Sequence, residues 1–239
     1  MPPHERAQAA GALIHLASGE IEVKGRMPWS SNGTFLVEVT RDGVPMPAVY
    51  KPVRGEQPLW DFPDGLYTRE AAAYLLSDAL GWGLVPETIV RHDGPFGAGS
   101  LQRFVPADFS EHYFTLLERP EHHHALKAIA TFDLLANNAD RKGGHCLLGE
   151  DGRIWAIDNG LAFHVEPHLR TVIWDFAGQP IPDPLVADAA RLADATLEDL
   201  AGLLSPLEID ALRRRAVVVA QAGLFPDPGS HRAYPWPLV

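Results

Sequence analysis

Residues 137–160 read NNADRKGGHCLLGEDGRIWAIDNG, and this stretch decides how the rest of the chain is read. Its middle, CLLGEDGRIWAID, is two apolar runs around Glu150, Asp151 and Gly152, the pattern of a β-hairpin. A helical pattern precedes it over residues 121–137, with Leu126, Ile129, Ala130, Asp133 and Leu134 on one side. A hairpin that folds back brings three groups to one edge: Asp140 at the helix end, His145 five positions on, and Asp158 at the hairpin's far end. Such a set can hold a divalent ion through oxygen and imidazole ligands while one carboxylate stays free to orient a hydroxyl. Each residue alone has a plainer role: Asp140 can pair with Arg141 or cap a turn, and Asp158-Asn159-Gly160 can be an ordinary tight turn.

Outward from that stretch, the chain divides by pattern. Residues 21–27, 34–40 and 47–52 alternate or run apolar around the turn Arg41-Asp42-Gly43, predicting a small antiparallel sheet. Residues 66–80 carry helical spacing with Ala71, Ala72 and Ala73 inside, and Gly81 follows as a helix stop. Two more strands are expected over residues 85–94 and 99–106, joined at Gly94-Pro95. Residues 183–223 read as mostly helical, and a proline-rich tail, FPDPGSHRAYPWPLV, is expected on the surface. A mainly β lobe, residues 1–106, followed by a mainly α lobe, residues 107–239, leaves a cleft near residues 102–107. The fold class is α+β.

Composition narrows the function. A chain of 239 residues, 46% hydrophobic, is long enough to bury a core of its own. The single cysteine, Cys146, forbids an internal disulfide and fits a reducing compartment, so a cytoplasmic location is expected. The run over residues 7–17, broken by Gln8 and His15, is too short to span a bilayer and reads as a short amphipathic helix. A formal net charge of -11 repels nucleic acid and anionic lipid, so neither nucleic-acid binding nor stable membrane association is expected.

The spacing D-R-K-G-G-H followed by I-D-N-G resembles the catalytic and metal-binding loops of phosphatidylinositol 3- and 4-kinase relatives, which run D-R-H-x-x-N and I-D-F-G. More closely, residues 19–35, 50–70 and 137–145 resemble a family of compact bacterial proteins assigned to that group, with likeness over about residues 10–225. The resemblance implies a two-lobed protein-kinase-like fold that binds ATP with Mg²⁺ or Mn²⁺ and transfers the γ-phosphoryl to an unidentified hydroxyl acceptor, a small molecule or a protein. It places Lys51 on the α and β phosphates with Glu70 as its ion-pair partner. Ser30, Ser31, Asn32 and Gly33 would cover the phosphates, and the hinge residues Gln102, Phe104 and Val105 would read adenine through backbone groups. Asp140 would position the acceptor hydroxyl, Asp158 would bind metal, and Lys142 would set a cation beside the γ-phosphate. His145 stands where the resemblance expects asparagine, and an imidazole suits Mn²⁺ better than Mg²⁺.

Two other readings stay open: a nucleotide sensor with little turnover, and a metal-dependent hydrolase using Asp140, His145 and Asp158. Other signals are discounted. His122, His123 and His124 are adjacent on a helix and face different ways, residues 94–99 (GPFGAG) fit a hairpin, and Arg213, Arg214 and Arg215 fit a solvated or ion-paired helix face. Residues 161–183 hold one arginine, Arg170, and no lysine, so a phosphoinositide acceptor is not expected.

Overall fold

The structure is a computed structural model that describes residues 3–27, 32–229 and 231–239. Helix α1 (Pro3–Ser18) leads into strands β1 (Glu20–Arg26), β2 (Phe35–Arg41) and β3 (Val44–Pro52). In β2 the alternation sends Val37 and Val39 inward, where they pack with Leu16 of α1, while Glu38 faces out and meets Lys24 at 3.0 Å. Arg41 pairs with Val44 across a two-residue loop whose members, Asp42 and Gly43, both have positive φ (52° and 76°), the conformation that matches strand twist.

Helix α2 (Leu66–Ala79) and the hairpin of β4 (Thr88–Gly94) and β5 (Gly97–Arg103) complete the N-terminal part. The five strands form one antiparallel sheet in the order β1-β2-β3-β5-β4, so β5 returns to lie beside β3. Along β3, Ala48 and Tyr50 point into the sheet's own core, which leaves Lys51 on the opposite face. The alanines at 71–73 are buried and let α2 pack against the helical core below.

The helical part comprises a short α3 (Tyr113–Leu117), which the residue pattern does not announce, then α4 (His123–Ala136), α5 (Asp183–Asp194) and α6 (Pro206–Ala222). Between α4 and α5 lies the expected hairpin, β6 (Cys146–Leu148) paired antiparallel with β7 (Ile154–Ala156). Asn137 ends α4 in the left-handed conformation (φ 55°), which turns the chain sharply into residues 138–145. Arg69 of α2 ties the two parts together, donating to the Ala162 carbonyl and pairing with Glu208 of α6.

The tail is largely exposed, as expected of residues 225–239, but it is not free: Phe225, Ala233 and Pro235 are buried, and residues 237–239 end against the loop after α4. Backbone bonds account for this path: Ala233 accepts from the Thr171 N–H at 3.0 Å, and Leu238 accepts from the Gly143 N–H at 2.7 Å.

Candidate functional site

A cavity of about 410 Å³ opens between the sheet and the helical part. Lys51, on the outer face of β3, projects into it and forms ion pairs with two carboxylates: Glu70, buried on α2, and Asp158, at 2.8 Å, just beyond β7. Burial opposes the charge on Lys51, but Asp158 and Glu70 outweigh it and raise the ammonium pKa. Glu70 also accepts from the Asn159 N–H at 3.0 Å, so one carboxylate holds both the lysine and the backbone after Asp158. Lys51 beside Asp158 keeps that carboxyl far below the ordinary carboxylate range, and it is ionised throughout the physiological range.

Asp140 lines the same cavity from the other side, with its backbone N–H held by Asn138 Oδ1 at 2.9 Å. Its partner is Lys142 at 3.1 Å, not Arg141. Burial raises the Asp140 pKa, and the Lys142 charge offsets this only in part.

Arg141 instead turns inward and is fully buried. It forms a bidentate pair with Asp133 of α4 (3.0–3.1 Å), donates to Asn159 Oδ1 at 2.6 Å and to the Ile157 carbonyl at 2.6 Å, and so staples the loop after α4 to the loop after β7. Thr171 joins through Asp133 at 3.3 Å. This brace holds Asp140 and Asp158 on one cavity wall. Asp133, Arg141, Asn159 and Thr171 were not among the expected site residues. An aspartate on the apolar face of α4 was the available signal, since a buried carboxylate requires a partner.

His145 lines the cavity. Its Nδ1 accepts from the Lys142 N–H at 3.3 Å, and its Nε2 faces Asp158 Oδ2 at 3.4 Å. With Nδ1 accepting, the neutral ring carries its proton on Nε2, the nitrogen on the Asp158 side. Burial pushes the His145 pKa down to about 4, so this neutral tautomer is the ordinary state. Of this set Asp158 is the group that could hold a divalent ion, since hard cations take oxygen ligands. Among the described residues no three His, Cys, Asp or Glu side chains converge as a metal cage.

This geometry gives a stability prediction. Between pH 6.5 and about 4 an unfolded His145 takes up a proton that the folded protein refuses, so stability falls as pH drops through that window. At 1.36 kcal/mol per pKa unit the effect has an upper bound of about 3 kcal/mol. Denaturant titrations across this range should show a shallower loss in His145→Asn than in the unmodified protein; parallel curves would contradict the buried neutral ring.

The remaining expected residues divide. Asn32 and Gly33 line the cavity, but the Gly33 N–H already donates to the Gly55 carbonyl at 3.0 Å. The two glycine backbones approach so closely that a Cβ on Gly55 would lie 2.9 Å from the Gly33 Cα, so this contact serves loop closure and the Gly33 N–H is not aimed at the cavity. Ser30 and Ser31 lie outside the described residues. Gln102, Phe104 and Val105 are not brought to the cavity. Gln102 donates to Thr88 Oγ1 at 2.8 Å, the Phe104 N–H is used by the Pro47 carbonyl, and Val105 packs with Leu147 and Trp155.

An N-terminal antiparallel sheet, a helical C-terminal part, and a lysine–glutamate pair facing a carboxylate loop across the cavity define a protein-kinase-like fold. The chain belongs to the same family as Protein Rv2133c of Mycobacterium tuberculosis, with which it is 46% identical over 260 residues, covering 93% of each chain. No family model matches the sequence. Among solved structures, hydra Fam20 with sugar superposes with a TM-score of 0.58 at 16% identity, over 90% of this chain and 88% of that one. The Golgi casein kinase with Mn/ADP bound gives 0.58 at 14% identity over 98% and 81%. The Helicobacter pylori proinflammatory kinase CtkA gives 0.51 at 12% identity over 88% and 94%. At these identities the likeness is one of fold.

Proposed function

We propose that the protein is an ATP-dependent phosphotransferase of the phosphatidylinositol 3- and 4-kinase-like group, with residues 1–106 and 107–239 as its lobes. The observation that carries this reading is Lys51 bridging Glu70 and Asp158 in the cavity that also holds Asp140. A lysine fixed between two carboxylates is a rigid phosphate-binding cation. Asp158, kept ionised, would hold Mg²⁺ or Mn²⁺, and the ion would supply positive charge to offset that of the nucleotide phosphates. The Golgi casein kinase structure, which carries Mn and ADP on a similar fold, supports the choice of cofactors. Asp140 accepts or orients the proton of the attacking hydroxyl, and Lys142 stands beside it to meet the transferred group.

Each charged contact to phosphate or metal is worth about 1.5–3 kcal/mol, so Lys51→Ala and Asp158→Asn should each weaken metal–nucleotide binding by about 10- to 100-fold. Calorimetric titration with a non-hydrolysable ATP analogue measures this. Unchanged affinity in both variants would remove the cavity from nucleotide binding.

One observation favours a sensor with little turnover: the Asp140 carboxylate is already engaged by Lys142 at 3.1 Å. Metal-dependent ADP production by the purified protein distinguishes the enzyme from the sensor. The hydrolase reading has less support, because His145 and Asp158 face each other and Lys51 is tied into the cavity rather than standing apart.

The acceptor is not a phosphoinositide on this reading. Arg170, the lone arginine or lysine of residues 161–183, is paired with Asp61 at 3.0 Å and leaves no spare cation for an inositol phosphate. No helix among the described residues is long and apolar enough to cross a membrane. Co-sedimentation with phosphoinositide vesicles at physiological salt, together with labelled lipid product, would overturn this part.

A further inference from the structure

We infer that the acceptor side of the cavity is a groove for a polypeptide segment held by its backbone and that residues 234–239 of the chain itself occupy it. The inference rests on the phosphotransferase reading for the word acceptor; the groove and its occupant are geometric.

The segment is anchored at its start. The Ala233 carbonyl accepts from the Thr171 N–H at 3.0 Å and from Trp174 Nε1 at 3.2 Å, Tyr234 packs edge-on to Trp174, and Pro235 is buried. From there the chain crosses to the loop that carries Asp140. The Leu238 carbonyl accepts from the Gly143 N–H at 2.7 Å, and Pro237 and Val239 line the cavity that Asp140, Lys142 and Asp158 share. A Cβ on Gly143 would lie 3.3 Å from the Leu238 oxygen, 3.3 Å from Val239 Cγ2 and 3.2 Å from Phe114 Cε2. A side chain at 143 would therefore crowd the segment, which passes beside the loop that carries Asp140.

The mode of holding identifies the ligand class. Past the anchor, the contact is a backbone hydrogen bond plus apolar fill from Pro237, Leu238 and Val239, while Trp236 (87% exposed) stays in water and Val239 (58%) is only partly covered. Recognition through main-chain groups suits peptide segments of varied sequence. Few buried side chains also make the occupant displaceable, because little apolar surface is lost when it leaves. Residues 234–239, YPWPLV, contain no serine or threonine, and the hydroxyl of Tyr234 belongs to the anchored end at Trp174. The segment thus fills the groove without offering an aliphatic hydroxyl beside Asp140, which makes it a self-inhibitor of a peptide-acceptor site.

The test uses the full chain. In the double variant Leu238→Asp, Val239→Asp the segment gains two anions, one at the Val239 position that lines the cavity with Asp140 and Asp158, which loosens the segment without touching the core; Pro237→Gly loosens it independently by removing a cavity-lining ring. A fluorescein-labelled AYPWPLV peptide should bind either variant at least tenfold more tightly than the unmodified protein, because the internal competitor is gone. Deuterium exchange at the Gly143 amide should be at least tenfold faster in the variants and slow again when the peptide is added. Equal peptide affinity and equal Gly143 exchange in all three proteins would overturn the inference. Nucleotide-induced thermal stabilisation is measured on the same samples. If nucleotide stabilises none of them while the peptide difference persists, the phosphotransferase reading fails and the groove stands.

Discussion

Asp140→Asn is expected to lower phosphoryl transfer by about 10²–10⁴-fold, the usual contribution of a positioned general base, with metal–nucleotide affinity nearly unchanged. The substitution is close to isosteric. The backbone N–H bond to Asn138 Oδ1 survives, and so do the Lys51, Glu70 and Asp158 contacts across the cavity. What is lost is a site that can take a proton. The acid limb has a defined sign: burial raises the Asp140 pKa, so the base is protonated, and transfer declines, as pH falls through that raised value. A pH profile of kcat/KM measures both effects. Full transfer in Asp140→Asn would remove the carboxylate from the chemistry.

The second large effect is on stability. Arg141→Ala should cost about 3–5 kcal/mol, the range for breaking a buried ion pair by deleting one partner. Arg141 and Asp133 are 0% and 1% exposed at their side chains, and burial already pushes the Asp133 carboxyl above its ordinary range despite the guanidinium beside it. Without Arg141 the acid keeps only the neutral groups of Thr171 and Asn138 as partners, the Asn159 and Ile157 bonds disappear, and a cavity remains. For a chain of this size the melting temperature should fall by about 6–20 °C, at about 2–4 °C per kcal/mol. Asp133→Asn should be milder, since it keeps a hydrogen-bonding shape. A loss below about 1 kcal/mol in Arg141→Ala would mean that the two loops do not depend on this brace.

Local pattern carried much of the fold. Alternation in residues 34–40, the Asp42-Gly43 turn and the alanine-centred helix at residues 66–80 each reflect a short-range preference, and each led to the right element. The hairpin at residues 146–156 did most for the site, because a tight turn alone determines that Asp158 returns toward Asp140. Lys51 and Glu70 were legible for a different reason: a charge on an apolar strand and a carboxylate inside the following helix require each other once buried.

What sequence did not reveal depends on long-range closure. Arg141 pairs eight residues back with Asp133 because Asn137 reverses the chain, a turn that periodicity does not register. Of the hinge residues, the Phe104 N–H is already used by the Pro47 carbonyl, a long-range pairing that residue type does not announce. His145 could ligate a metal by composition; only the Lys142 N–H at its Nδ1 assigns the proton to the other nitrogen. The path of residues 224–239 follows from carbonyl acceptors, which carry no residue-type signal.

The central claim is that Lys51, Glu70 and Asp158 form a metal–nucleotide site, and one calorimetric titration tests it most directly: a non-hydrolysable ATP analogue added to the protein with and without Mn²⁺, and to Lys51→Ala. The account predicts saturable binding at one site per chain that requires the metal and weakens about 10- to 100-fold in the variant. Absence of binding with Mn²⁺ present, or equal affinity after Lys51 is removed, would contradict it.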